Sequence, residues 1–401
     1  MATFTTRFLG CKVSHVDARE LRERLLADGH VEAPKGTVAD VAVISSCCVT
    51  GEAVAKSRKA AARAARTHRH VYVTGCAANL DGDPLATLPA NVTVVARSAE
   101  ETPDFVAGDV GALGCVQAEA RLDRVRAFVK IQDGCSFSCA FCVIPLVRGA
   151  SRSRRADAVL AEIRRRVAQG HREVVLTGIN LGCFRDRAAG YGLARLVREA
   201  GAIEGLSRLR LSSIEINHVG EELVAALRET PTVARHLHVP LQSGDDRVLR
   251  AMGRRYTTET FLRKLAPLAA DFNLTTDVIV GFPAEDEAAF ANTLRTVERA
   301  GIAGVHVFPY SPRPGTVTAD DDTVRPAEKR ERGARLRALG HELERRRWSA
   351  KLGAEDVVLV DRPGRGYGDD YSPFLVEAEV GEFVRVKAVR LAEEGIVAVA
   401  A

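Results

Sequence analysis

Up to about residue 112, short apolar runs alternate with stretches of helical period: TFTTRFL, a helix expected from about Ser14 to Asp28, DVAVIS, a second helix from about Glu52 to Arg66, then VYVTG. That alternation predicts an open parallel α/β domain. From about Arg126 the rhythm lengthens. AFVKIQ, EVVLTG, RLRLSS, HLHVPL, TTDVIVG and GVHVFPY are each followed by a helical pattern, and six such units predict a partial (β/α)6 barrel. A charged helix from about Arg325 to Trp348 leads out of it, its charge run read as a solvated face. After about Lys351 the segments EDVVLVD, FLVEAEV, EFVRVKAVRL and GIVAVA, punctuated by PGRGYGDD, predict a small antiparallel β-barrel. The fold class is α/β, with domains expected over residues 1–112, 121–349 and 350–401.

Composition narrows the class without choosing a function. At 401 residues, 46% hydrophobic and 27% charged, the chain is neither disordered nor collagen-like and is long enough for two or three domains. No apolar run approaches the ~18 residues that span a bilayer. The opening MATFTTRFLG lacks the charged and apolar regions of a signal peptide. A cytoplasmic location with no membrane partner is therefore expected. The 57 basic and 52 acidic residues leave +5, which permits a nucleic-acid partner without requiring one.

The nine cysteines are more informative, being odd in number and too sparse for a disulfide framework. Cys135, Cys139 and Cys142 follow the first barrel strand in the spacing C-x3-C-x2-C, and soft thiolates so placed favour an iron-sulfur cluster. Three ligands leave one iron open to a small molecule, whereas a structural zinc would need a fourth ligand that no adjacent His or Cys supplies. Cys11, Cys47 and Cys76 each stand just past the carboxyl end of a strand, along the edge where open α/β sheets bind ligands. Three ordinary buried cysteines are the competing reading. Cys115 and Cys183 have no partner at a sensible spacing and are read as structural, as are His236 and His238, which alternate on one strand. Small and polar residues end the barrel strands: Gly178 and Asn180, Ser213 and Glu215, Gln242, and Gly281. Barrels place function at those ends, although loop capping would explain each residue singly.

GCSFSCAFCVIPLVRGASRSR, with Pro145, Arg148, Gly149 and Ser153 after the cysteines, resembles the radical S-adenosylmethionine superfamily in its methylthiotransferase branch. HLHVPLQSGDDRVLRAMGRRYT and DVIVGFPAEDEAAF are similar to later barrel motifs of the branch. FLGCKVS, ISSCCVTGEAVAKSRK and VTGCA resemble the three stretches that hold its second cluster. Lys12 and Val13, with Val49, Thr50, Glu52, Ala53, Lys56, Ser57 and Arg58, look most like the bacterial enzymes acting on threonylcarbamoyladenosine in tRNA. Ser14 replaces the usual Asn, and Ser45-Ser46-Cys47 replaces Asn-Thr-Cys, with an extra Cys48. Cys47 is the matching ligand. Adjacent side chains on an extended segment point apart, so Cys48 is not expected to join it, though an exchange of the two stays open.

The resemblance implies two [4Fe-4S] clusters, one on Cys135, Cys139 and Cys142 and one on Cys11, Cys47 and Cys76. It implies two S-adenosylmethionine molecules per turnover, contacted by Phe141, Gly178, Ser213, Glu215, Gln242 and Gly281. The implied reaction replaces a C–H bond of N6-threonylcarbamoyladenosine at tRNA position 37 by C–S–CH3, a step that needs a cofactor-derived radical. An anticodon stem-loop presents that base unpaired. The C-terminal barrel resembles the TRAM RNA-binding domain, and Arg148, Arg152, Arg154 and Arg155 are candidate phosphate contacts. An electron donor and a sulfur source complete the implied partners. The alternatives are the same chemistry on isopentenyladenosine or on a ribosomal-protein aspartate, or an RNA-binding protein with structural metal sites.

Overall fold

The computed structural model describes every residue except Met1, Lys35, Asp83, Ala99 and 112–124, so Cys115 lies outside the described residues. The chain divides into two compact units. The first comprises Met1–Leu122, Asp133–Arg152 and Ser311–Asp321, and the second Asp123–Gln132, Ser153–Tyr310 and Asp322–Ala401.

In the first unit β1 (Thr3–Phe8), β2 (Val31–Glu32), β3 (Val41–Ser46), β4 (His70–Gly75) and β5 (Val92–Val94) form a parallel sheet in the order β2-β1-β3-β4-β5. The central β3 is buried at every position, as a strand covered on both faces must be. Helix α1 (Lys12–Ala27) starts two residues before the expected Ser14, because Gly10 turns the chain sharply and Cys11 takes the extended N-cap position. Helix α2 (Gly51–Ala64) is capped by the Thr50 side chain, which accepts from the Ala53 N–H at 3.1 Å. The two short strands β2 and β5 lie at the sheet edges, where the periodicity is too brief to announce them.

In the second unit six parallel strands follow in spatial order: β6 (Arg126–Asp133, whose last residue belongs to the first unit), β7 (Glu173–Gly178), β8 (Arg208–Leu211), β9 (His236–His238), β10 (Asn273–Val280) and β11 (Ile302–Pro309). Parallel bridges Leu209↔Val233 and Ser213↔His238 carry the pairing between β8 and β9. This is the expected partial (β/α)6 barrel. Along β10, Leu274, Thr276, Val278 and Val280 are buried against the helical layer, while Thr275, Asp277 and Ile279 stay half-buried on the lumen face.

A buried charge cluster closes the amino-terminal end of that barrel. Glu173 opens β7 and receives Arg126 at 2.9 Å, Arg210 at 2.8 Å and Arg208 at 3.3 Å. Burial opposes ionisation of Glu173, but the three guanidiniums hold its carboxyl below the usual range. Arg208 and Arg210 also donate to the carbonyls of Tyr367 and Gly368 at 3.2 and 2.8 Å. Arg126 lies over the Tyr367 ring, on which Tyr371 stacks at 4.6 Å.

Those aromatics belong to the C-terminal barrel, closed in the order β12 (Glu355–Arg362), β13 (Arg365–Tyr367), β14 (Pro373–Leu375), β16 (Ile396–Ala400), β15 (Phe383–Leu391). Two details differ from the expected antiparallel barrel. The Gly-rich PGRGYGDD supplies a strand of its own, and β14 pairs with β16 in parallel. The expected FLVEAEV strand is correspondingly short. Among the described residues, no helix is long and apolar enough to cross a membrane.

Candidate active site

The first unit holds both cysteine triads. Cys11 is the exposed N-cap of α1, Cys47 follows β3 half-buried, and Cys76 follows β4 buried, so the three leave neighbouring parallel strands at one sheet edge. Two glycines let the turns approach one another. A Cβ on Gly10, at φ +148°, would meet Ser14 Oγ at 2.9 Å and the Cys47 Cβ at 3.4 Å. A Cβ on Gly75, at φ +87°, would meet the Ser46 carbonyl at 2.7 Å. Ser46 Oγ donates to the Thr74 carbonyl at 2.5 Å and accepts from Ala77 N at 3.2 Å, fixing the turn that carries Cys76. Ser57 on α2 accepts from Cys47 N at 3.1 Å.

Cys48 turns the other way. It is buried in the apolar cluster with Ala42, Ile44, Ala61 and Cys76. Interaction with Cys76, with burial, pushes the Cys48 thiol up. Interaction with Cys48 and the charge of Arg148 bring the Cys76 thiol down, against its own burial. Burial pushes the Cys47 thiol up.

Arg148 ties these pieces together. It ends the short Ile144–Arg148 helix, and its side chain is 6% exposed. Nε donates to Cys76 Sγ at 3.1 Å, Nη1 to the two Asp133 oxygens at 3.0 and 3.1 Å, and Nη2 to Asp17 Oδ2 at 2.7 Å. Nη2 also reaches Ser14 Oγ at 3.5 Å, so all five donors of the guanidinium are engaged within the protein, which corrects the expectation of a phosphate contact for this residue. Arg154 pairs with the nearly buried Glu162 at 2.6 Å, whereas Arg152 and Arg155 remain exposed. A cavity of about 330 Å³ opens beside Arg148, lined by Cys76, Asn79, Arg97, Asp133 and Arg152 among others.

The Cys135–Cys142 loop starts where β6 ends. Gly134 has φ +65°, and a Cβ there would lie 2.1 Å from the Ala150 carbonyl, so the position accepts no side chain. Cys135 N donates to the Gly149 carbonyl at 3.0 Å, Cys142 N to the Cys139 carbonyl at 3.1 Å, and Thr318 Oγ1 to the Ala140 carbonyl at 3.1 Å. Phe137 N points at Cys135 Sγ at 3.4 Å. All three cysteines, and Phe141 beside them, are half-buried. Three soft thiolates on one loop, with no His or Cys beside them to complete a zinc site, form a donor set that fits an iron-sulfur group, in which each thiolate binds its own iron.

In the second unit the expected S-adenosylmethionine contacts line the carboxyl ends of successive barrel strands. Gly178 ends β7, where a Cβ would meet Gln132 Oε1 at 3.0 Å. Ser213 bridges to His238. Gln242 has φ +66°, and its N–H donates to the Asp277 carbonyl at 2.8 Å. Gly281 donates to Glu285 at 2.7 Å and packs so closely on Lys329 that a Cβ would fall 2.4 Å from its Cγ. Glu215 has a local task, accepting from Asn217 N at 2.8 Å and facing Arg254 at 3.5 Å. Cys183 lies against His218 Nε2 at 3.4 Å.

A partial parallel barrel of six strands, a three-cysteine loop after its first strand and glycines at its strand ends define a radical S-adenosylmethionine enzyme. The Radical SAM superfamily profile matches residues 129–297, and that of "Uncharacterized protein family UPF0004" matches residues 3–96. The threonylcarbamoyladenosine tRNA methylthiotransferase MtaB of Thermotoga maritima is 33% identical over 99% of this chain and 96% of its own, and that of Bacillus subtilis 32% over 97% and 94%. The tRNA-2-methylthio-N(6)-dimethylallyladenosine synthase of Thermobifida fusca is 36% identical over 92% of this chain and 79% of its own. The chain belongs to the radical SAM methylthiotransferase family and is an enzyme of methylthio transfer. In fold it is similar to the radical S-adenosylmethionine methyltransferase TsrM of Kitasatospora setae, with a TM-score of 0.60 at 13% identity over 79% of this chain and 75% of that one. The family implies a [4Fe-4S] cluster and S-adenosylmethionine.

Proposed function

We propose that the enzyme converts N6-threonylcarbamoyladenosine at tRNA position 37 to its 2-methylthio derivative, using two [4Fe-4S] clusters and two S-adenosylmethionine molecules per turnover. The observation that carries the two-cluster reading is the presence of both thiol triads in one compact unit, with Arg148 donating to Cys76 from the segment that follows the Cys135–Cys142 loop. The near full-length likeness to the MtaB enzymes of Thermotoga maritima and Bacillus subtilis supports the substrate.

Cys135, Cys139 and Cys142 would hold the first cluster, and Cys11, Cys47 and Cys76 the second. When bound, a [4Fe-4S] cluster with an open iron supplies the electron that cleaves S-adenosylmethionine to the radical which removes the unactivated hydrogen. The protein's own part is positional. Gly178, Ser213, Glu215, Gln242 and Gly281, at the strand ends of the second unit, would contact S-adenosylmethionine. Arg148 keeps positive charge at Cys76, which favours the thiolate a metal requires. The C-terminal barrel would contact the tRNA through its outward face, where Arg385 and Lys387 alternate with the buried Val386 and Ala388. An electron donor and a sulfur source are the remaining partners of this reading.

Mass spectrometry of tRNA nucleosides from a deletion strain tests the substrate. Loss of the methylthio-threonylcarbamoyl nucleoside is expected. The 36% identity to the Thermobifida fusca enzyme favours a second reading, isopentenyladenosine, and loss of its methylthio derivative instead would replace the first. Reconstituted protein should hold about eight irons and eight sulfides per chain, and about four would remove the second cluster.

A further inference from the structure

The lumen face of β9, β10 and β11 carries a polar cluster that neither thiol triad uses. Asp277 Oδ1 lies 3.1 Å from His238 Nε2 and 3.1 Å from His306 Nδ1, and the two imidazoles stack at 5.2 Å. His238 turns its other nitrogen to Thr275 Oγ1 at 2.9 Å, and His236 meets the same hydroxyl at 3.0 Å. Burial would lift the Asp277 carboxyl, yet the hydrogen bonds from the two histidines hold it well below the usual range. As an anion it accepts from both rings, which leaves Nε2 of His306 pointing away from Asp277. The His306 side chain is 66% exposed, against 12% for His238.

The cluster adjoins the strand-end rim. Ser213 is bridged to His238, and Gln242 donates to the Asp277 backbone. One register step toward the mouth, Ile279 pairs with the exposed Phe308. An apolar row therefore lies directly above a polar one. A purine can lie on the first, as bases stack on exposed aromatics, while an N6 substituent reaches the second.

We propose that His306, positioned by Asp277 against His238 and donating in its imidazolium form from Nδ1 to Asp277 and from Nε2 outward, hydrogen-bonds the carboxylate of the threonylcarbamoyl group and so determines which modified adenosine the enzyme accepts. The proposal rests on the substrate reading given above and names the residues that enforce it. The threonylcarbamoyl substituent carries a carboxylate, a hydroxyl and a urea, whereas a dimethylallyl substituent offers no hydrogen-bonding group. Bringing that hydrocarbon against His306 and Asp277 would strip them of water without replacement partners. Discrimination of this kind is large, because the polar groups of the site are left unpaired by the wrong substrate.

The test measures dissociation constants of the cluster-reconstituted full chain for three anticodon stem-loops, bearing threonylcarbamoyladenosine, dimethylallyladenosine or unmodified adenosine at position 37. The unaltered enzyme should prefer the first over the third by about tenfold or more, the worth of one hydrogen bond to a charged group. His306→Phe should abolish that preference and improve relative binding of the dimethylallyl loop. His306→Gln, which keeps a donor without the charge, should retain part of it. Asp277→Asn should lower it without touching the His306 donor. Preference for the threonylcarbamoyl loop that survives in both His306 variants overturns the proposal and leaves the substrate reading standing. An unaltered enzyme without that preference overturns both. Stoichiometric zinc, present in the unaltered chain and absent from His306→Phe, would make the cluster a metal site and overturn the proposal as well.

Discussion

Arg148 Nε lies 3.1 Å from Cys76 Sγ, and the same guanidinium is bound by Asp17 and Asp133. One buried cation thus joins helix α1, the end of β6 and a candidate cluster thiolate. The planar guanidinium carries five donors and pairs with both Asp133 oxygens while reaching Cys76 and Asp17, four bonds in all, whereas a compact ammonium has three donors. Arg148→Lys is therefore expected to weaken at least one of the three contacts, and Arg148→Met to remove the buried cation that Asp17 and Asp133 share. The latter should cost about 3–5 kcal/mol. Denaturant unfolding of the two variants under anaerobic conditions checks the order, and a Met variant as stable as the parent would contradict it.

Cys47 and Cys48 should separate cleanly. Cys48 sits in the apolar cluster of the first unit, so Cys48→Ala is expected to lose on the order of 1 kcal/mol and keep the parent's iron content. Cys47→Ala is expected to lose about four irons per chain, the complement of one cluster. Iron and acid-labile sulfide analysis decides between them, and the reverse pattern would exchange the two as ligands.

Cys139→Ala should abolish formation of deoxyadenosine from S-adenosylmethionine, since that cysteine belongs to the loop read as the radical site. Gly134→Ala should act on the same loop without removing a thiol. Its Cβ would fall 2.1 Å from the Ala150 carbonyl at φ +65°, so the chain must shift beneath Cys135. The strain is on the order of 1–3 kcal/mol. Deoxyadenosine production by the Cys139 variant, or a Gly134 variant that reconstitutes like the parent, would refute the respective assignment.

Glu173 gives a prediction in pH. Its carboxyl is held below the usual range by three arginines, so its contribution is present above the unfolded-state value near 4.5 and fades as pH falls through the folded value. Glu173→Gln removes the anion that Arg126, Arg208 and Arg210 share, leaving Asp361 beside Arg126 and Asp369 beside Arg208, and should cost about 3 kcal/mol at pH 7. The gap between parent and variant should narrow in acid. Urea unfolding at pH 7 and pH 4 measures it, and a gap that widens in acid would reverse the sign.

The strands and the cysteines were legible because each depends on near neighbours: alternation and apolar runs for the strands, C-x3-C-x2-C for the loop. The six barrel strands appear where the runs AFVKIQ through GVHVFPY place them. The turn PGRGYGDD misled, since Gly-rich spacing conceals that Arg365–Tyr367 pairs with both β12 and β14. Arg148 was visible as a motif residue but not in its role, because its partners Cys76 and Asp17 lie 72 and 131 positions away. His238, Asp277 and His306 come from three different strands. Only the register that sets Asp277 opposite His306 brings them together, and a linear pattern does not contain it.

The loop from Tyr367 to Tyr371 covers the Arg126, Arg208 and Arg210 side chains around Glu173. Shortening the chain at the start of the C-terminal barrel would therefore expose a nest of arginines and a lone carboxylate at the foot of the larger barrel. A truncated enzyme that failed to modify tRNA would report collapse at its foundation as readily as lost RNA affinity. The two can be told apart only with the full chain, by reversing charge at Arg385 and Lys387 on the outer surface while the aromatic plug stays in place.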